Sequence, residues 1–281
     1  MNTNSFFIKY EDNPSDTLVV AFSHVGYPEG KFAFTRAIVH LQCKKLYINC
    51  PDNSWYQDGI PGFGESIEIS AINLKKTIDS LQVKKTIFMG MSMGGYAALL
   101  FGLLCSSNIV LAFTAELMIG TNRTRSFKEN LLRNYHPIYQ NLSSLLMQNV
   151  KTQIFAIYGE DDLIDLSLLW PISSLIVKAE RIKLFFVAGG HQCTLNLNVP
   201  LILGVLVRDG WLSSKLIDPV LVRDYDFNIS EFFVYSAVER LLSELKYKDI
   251  LRLLESNEIT NQRQNLLKIK SIAAEELRGM V

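Results

Sequence analysis

Six stretches of the chain are apolar almost without interruption: TLVVAFS (17–23), KKLYINC (44–50), KKTIFMG (84–90), IVLAFTA (109–115), TQIFAIYG (152–159) and IKLFFVAG (182–189). A strand buried on both faces reads this way, because neither side of its pleat meets water. Between these runs the apolar positions recur with helical spacing over roughly 30–41, 65–81, 94–105, a pair within 126–149, 165–179 and 198–208. Strand alternates with helix, which predicts an α/β fold: a mostly parallel sheet flanked by helices. The early SFFIKYE stretch adds a candidate antiparallel edge strand.

Past Trp211 the pattern changes. Val234, Val238, Leu241 and Leu245 form one apolar stripe, a second amphipathic stretch runs from Tyr247 to Leu254, and a third helical pattern covers about 262–278. No buried-strand run is read here, so the division expected is an α/β domain over 1–213 and a small α-helical region over 214–281. The latter holds 10 basic and 11 acidic side chains, so it is not a charged arm. Its helical hairpin resembles weakly the tetratricopeptide type, and one such hairpin cannot cover its own apolar face. It is expected to pack on the main domain or to form the contact in a homo-oligomer or with a protein partner.

Composition removes several function classes. The 281 residues carry 28 Lys plus Arg against 28 Asp plus Glu, and 48% are hydrophobic. That supports an ample core and disfavours disorder, while zero net charge argues against nucleic acid as a partner. The longest apolar runs fall short of the roughly 20 residues of a membrane span. The first residues lack the basic and apolar succession of a signal peptide, so a cytoplasmic protein is expected. Cys43, Cys50, Cys105 and Cys193 show no metal-type spacing, and neither a metal nor a cofactor is expected.

The strongest chemical signal is GMSMGG (90–95), set between a buried strand and a helix. G-x-S-x-G in that setting is a nucleophile elbow, which lifts Ser92 above the sheet. Gly90 and Gly94 stand where a Cβ would crowd the turn. A serine needs a base, and a base needs an orienting acid. Of four histidines, His191 follows the last buried strand in VAGGHQC, where two glycines let the chain present its ring. His40 sits late in a helical pattern and His136 precedes Pro137. YGEDDLID offers Asp161, Asp162 and Asp165 as acids. Asp162 completes the order Ser…Asp…His, and Asp165 suits the N-cap of the helix expected over 165–179.

With these pieces in place, residues 17–208 resemble an α/β-hydrolase: SHVGY after one strand, PGFGES after another, then GMSMGG, YGEDD and GGHQ. The resemblance implies Ser92, Asp162 and His191 as catalytic residues, with Asp162 three positions after Gly159, as the acid often stands in that family. It implies oxyanion donors at the N–H groups of Met93 and Val25, although Ser23-His24-Val25 departs from the common His-Gly form. His24 is either a group pointing at the site or a structural histidine, and Cys193 reads as a packed thiol.

Arg123, Arg125 and Lys128 fit an ordinary solvated helix start, with an anionic substrate as the alternative. Tyr27, Trp55 and Tyr56 are candidate substrate-binding residues, with burial that merely pins the loop as the alternative for the last two. The function implied is hydrolysis of a small-molecule carboxylic ester, such as an acylated carbohydrate. A thioesterase or acyltransferase would use the same triad, and a non-catalytic scaffold is the rival from another class.

Overall fold

The computed structural model describes residues 5–121, 124–128, 135–169, 179–212, 222–223, 229–257, 260 and 264–279. All six predicted buried strands form, as β2 (Thr17–Phe22), β3 (Lys44–Ile48), β4 (Lys85–Met91), β5 (Ile109–Phe113), β6 (Gln153–Gly159) and β7 (Ile182–Val187). They run parallel, in an eight-stranded sheet of order β1-β3-β2-β4-β5-β6-β7-β8. The SFFIKYE stretch supplies β1 (Ile8–Glu11), antiparallel to β3. At the other edge β8 (Val222–Arg223) pairs antiparallel with β7. This two-residue strand was not expected: it is too short to show a period.

Alternate side chains of each strand feed two apolar layers. Leu18, Val20 and Phe22 join the layer under α2 (Ile67–Ser80) and α3 (Met93–Leu104), while Val19 and Ala21 join the one under α1 (Thr35–Ile38) and α7 (Val199–Asp209). Helix α2 begins where Ser66 Oγ accepts from the Ile69 N–H, 3.2 Å away, a side-chain N-cap. The helix expected over 30–41 shrinks to Thr35–Ile38, because Gly26, Gly30 and Phe34 take positive φ and hold the preceding residues as a loop. The short helices α4 (Arg125–Lys128) and α6 (Leu163–Ser167) follow the carboxyl ends of β5 and β6, while α5 (Ser143–Gln148) packs on α3 and leads to the start of β6. Most of the expected 165–179 helix beyond Leu169 lies outside the described residues, as do Arg123 and the boundary at 213/214.

Helices α8 (Ile229–Ser243), α9 (Tyr247–Glu255) and α10 (Gln264–Gly279) make up the C-terminal part. Val234, Tyr235, Val238, Ile250, Leu254 and Leu266 are buried in the same apolar cluster as Tyr158, Leu166 and Leu169. Helix α8 packs on α6, and Lys268 Nζ lies 3.6 Å from Asp161 Oδ1. The tail thus buries Val234 and Val238 of its apolar stripe against the loop that follows β6, with Leu241 partly covered and Leu245 left exposed. Among the described residues no helix is long and apolar enough to cross a membrane.

Candidate active site

Strand β4 ends at Met91 and α3 begins at Met93, so Ser92 alone makes the turn. Its backbone stands at φ 54°, ψ −121°, a conformation that costs a non-glycine residue about 1–3 kcal/mol. Two glycines make the turn possible. A Cβ on Gly90 would lie 2.0 Å from the Gly94 carbonyl oxygen, and one on Gly94 would lie 2.4 Å from that of Phe22. The Ser92 N–H donates to Phe113 O at 2.9 Å, which ties the elbow to β5.

From the elbow a hydrogen-bond chain runs inward. Ser92 Oγ is 2.8 Å from His191 Nε2, and His191 Nδ1 is 2.7 Å from Asp165 Oδ2. A neutral imidazole satisfies both contacts, with Nδ1–H donating to the carboxylate and Nε2 accepting the hydroxyl proton. The His191 side chain is 19% exposed and that of Asp165 1%, so the acid is sealed from water. Glycine again allows the approach: a Cβ on Gly159 would lie 2.2 Å from Gly190 O, so the acid loop and the base loop meet backbone to backbone.

In this geometry the carboxylate beside His191 is that of Asp165, not of Asp162. Asp162 is the N-cap of α6, its Oδ1 accepting from the Asp165 N–H at 3.1 Å, and its Oδ2 pairs with the Arg125 guanidinium. Both oxygens are engaged away from the imidazole, and Asp165, in the first turn of α6, takes the place beside His191. The two positions are the reverse of the sequence expectation: Asp162 caps α6 and Asp165 neighbours His191.

Arg125, in a segment whose sequence fits a solvated helix start, bridges both carboxylates, with Nε 3.5 Å from Asp165 Oδ1. Nothing local in TNRTRSFKEN distinguishes it; the only signal is that two buried acids three residues apart need a cation. Burial pushes the Asp165 carboxyl above its ordinary range, the His191 hydrogen bond opposes that, Asp162 adds repulsion, and Arg125 lowers it. Helix α4, which carries Arg125, is capped by Glu116, whose carboxylate accepts from the N–H groups of Arg125 and Ser126. Burial drives Glu116 up to about 7, against the hydrogen bonds it accepts. Donor atoms of Asp162, Asp165 and His191 lie within 4.8 Å of one another, as a metal set would. The positive charge there is already Arg125, and both imidazole nitrogens are in use.

The other expected residues divide. Met93, fully buried, opens α3, and Val25 is half-buried in the loop after β2; among the described residues no acceptor engages either N–H. Trp55 and Tyr56 offer no surface to a substrate, for both are 0% exposed. Trp55 packs edge-on against Tyr96, and Tyr56 Oη donates to Ser23 O at 2.9 Å, so the pair braces the loop after β2 from beneath. Tyr27 does line a crevice at that loop, edge-on to His24. His24 Nδ1 is 2.9 Å from Val25 O, and burial lowers its pKa. Cys193 is a packed thiol, raised to about 12 by burial.

An elbow serine after the fourth strand, an acid after β6 and a histidine after β7 stand in the chain order Ser…Asp…His over a parallel sheet. This is the α/β-hydrolase fold. No protein-family model and no curated protein matches the sequence. Among solved α/β structures, the capsule O-acetyltransferase of Neisseria meningitidis serogroup A matches with TM-score 0.53 and 16% identity, over 72% of this chain and 91% of its own. A glycosylation-associated protein complex from Streptococcus agalactiae matches with TM-score 0.51 and 15% identity, over 72% of this chain and 44% of that one. An α/β hydrolase from a lagoon-sediment metagenome matches with TM-score 0.46 and 16% identity, over 67% and 88%.

Proposed function

We propose that the protein is a serine hydrolase that cleaves small carboxylic esters through an acyl-enzyme. Ser92 attacks the ester carbonyl while His191 Nε2 takes its proton, then returns it to the departing alkoxide. Asp165 holds the imidazole in the tautomer that accepts this proton and stabilises the imidazolium that forms. The N–H groups of Met93 and Val25 receive the oxyanion, the kind of donor whose loss costs about 3–4 kcal/mol of barrier. The His191 hydrogen bond and, more weakly, the Arg125 charge favour the ionised form of Asp165 against the burial that raises its pKa.

The observation that carries this reading is the unbroken chain Ser92–His191–Asp165, at 2.8 and 2.7 Å. A scaffold that kept only the fold would need neither the strained elbow nor a buried carboxylate aimed at a histidine. A fluorophosphonate probe tests it: wild-type protein should be labelled on Ser92, and folded Ser92→Ala protein should not. Absence of labelling in the wild type would remove the hydrolase mechanism.

A second reading shares every step up to the acyl-enzyme. If a sugar hydroxyl replaces water as acceptor, the product is an acylated carbohydrate, and the capsule O-acetyltransferase named above has this fold. Partition of the acyl-enzyme between water and an added sugar alcohol separates the two.

A further inference from the structure

A crevice of about 790 Å³ opens at the loop that joins β2 to α1, the loop that carries Val25, and is walled on its far side by the edge strand β1. That volume is within the range of small-molecule sites, about 300–1,000 Å³. Its lining includes His24, Tyr27, Phe34, Lys9, Lys31 and Arg36. We propose that this crevice is an anion-binding subsite, and that the ester cleaved at Ser92 carries a phosphate or carboxylate group. The inference rests on the hydrolase reading of Ser92 and names the substrate class that reading leaves open.

Charge is the first ground. The chain as a whole is neutral, with 28 basic against 28 acidic residues, yet three cations and no carboxylate line this crevice. Lys9 is shared with Glu11, 2.7 Å away, and lies over the Tyr47 ring. Lys31 and Arg36 have no ion-pair partner among the described residues. Glu29, the sole carboxylate between Ser23 and Ala37, is exposed and outside the lining. An arginine with both edges of its guanidinium unspent suits the paired oxygens of a phosphate or carboxylate.

The loop is also built rather than loose. The buried Asn49 side chain donates to the carbonyls of Tyr27, Pro28 and Lys31 at 3.2, 3.1 and 3.2 Å. Gly26 N–H donates to Asn53 Oδ1 at 2.9 Å, and Ala33 N–H to Ser23 Oγ at 3.1 Å. These bonds hold the Lys31 backbone in place before any ligand arrives, which lowers the ordering cost of binding.

Finally, the crevice is joined to the chemistry. Phe34 stacks on Phe113 at 6.2 Å, and Phe113 O is the acceptor for the Ser92 N–H. His24 and Gly26, which flank the Val25 oxyanion donor, both line the crevice. An ester whose carbonyl oxygen meets the Val25 N–H would then have its charged end directed into the crevice that holds Tyr27, Lys31 and Arg36.

The test compares phenyl acetate, 4-acetoxybenzoate and 4-acetoxyphenyl phosphate on wild-type protein and on the double variant Lys31→Gln/Arg36→Gln. The wild type should favour one or both anionic esters in KM, and the two anionic arms tell carboxylate from phosphate. In the double variant the anionic-over-neutral preference should fall about tenfold, the scale expected when two exposed charges are removed. Rising salt should erode the wild-type preference in the same direction. Equal KM changes for all three esters, or no change, would overturn the subsite. If no ester turns over and Ser92 takes no fluorophosphonate label, the hydrolase reading fails instead. Titration with inorganic phosphate, followed by amide NMR shifts, then still decides the subsite: shifts around Lys31 that the double variant loses support it, and their absence overturns it.

Discussion

Ser92 is positioned by its own backbone, whereas Asp165 is positioned by side chains from distant parts of the chain. At the elbow, the glycines at 90 and 94 and the strained φ of Ser92 leave no alternative path for the chain. At the acid, the first turn of a five-residue helix is held by the Asp162 cap, by Arg125 from α4 and by α8 packed on its apolar side. One half of the site is rigid because few residues can occupy each position. The other is rigid only as long as several segments stay docked. Substitutions at the elbow should therefore act all at once, and those around the acid should act by degrees.

The largest effect is expected from Gly90→Ala. The new methyl would sit 2.0 Å from a backbone oxygen that cannot move without opening the elbow. Strain of more than about 3 kcal/mol should follow, with fluorophosphonate labelling lost. Full labelling of a folded Gly90→Ala protein would break the contrast between the two halves.

A smaller, pH-dependent effect is expected from Arg125→Met. Arg125 lowers the Asp165 pKa against the upward push of burial, so its loss raises that pKa further. The acid limb of the kcat profile should shift to higher pH, with a loss of less than about tenfold, the scale of one pKa unit, near neutrality and partial rescue by Arg125→Lys. An unmoved profile would mean that Arg125 braces the loop without acting on the acid.

Glu116→Gln should show the smallest effect, and in stability rather than rate. A carboxyl raised from 4.5 to about 7 holds its proton more tightly folded than unfolded. It favours the folded state below pH 4.5, and this contribution fades as pH rises through about 7. Above that pH the buried charge costs on the order of 3 kcal/mol relative to acid conditions. The amide variant should melt higher than wild type at pH 8 and little differently at pH 5. The reverse order would show that the charged form is the stable cap of α4.

The same contrast explains what could be read from the sequence. Buried strands, the elbow and His191 follow from local patterns: apolar runs, glycine spacing and a histidine set after two glycines. The family resemblance points to Asp162 as the acid, because it stands three residues after Gly159. The segment also reads D-x-x-D ahead of a helix, and in that pattern the first aspartate is the cap and the second lies in the first turn. Arg125 had no local signal, since its partners lie 37 and 40 residues away. Trp55 and Tyr56 look like exposed loop aromatics until Phe22, Tyr96 and Phe101 are packed around them. The tail stripe was legible, but its seat on α6 depends on the fold of the main domain.

The hydrogen-bond chain from Ser92 through His191 ends at Asp165. Its most direct test is kcat for phenyl acetate at pH 8 in Asp165→Asn and Asp162→Asn proteins, each confirmed folded by circular dichroism. An asparagine at the acid position cannot select the tautomer that accepts the serine proton, a loss of about 10⁴ in a related triad. Asp165→Asn should approach that loss, while Asp162→Asn, which weakens a helix cap and an ion pair, should lose far less. A larger loss in Asp162→Asn would contradict the account and return the catalytic role to the capping residue.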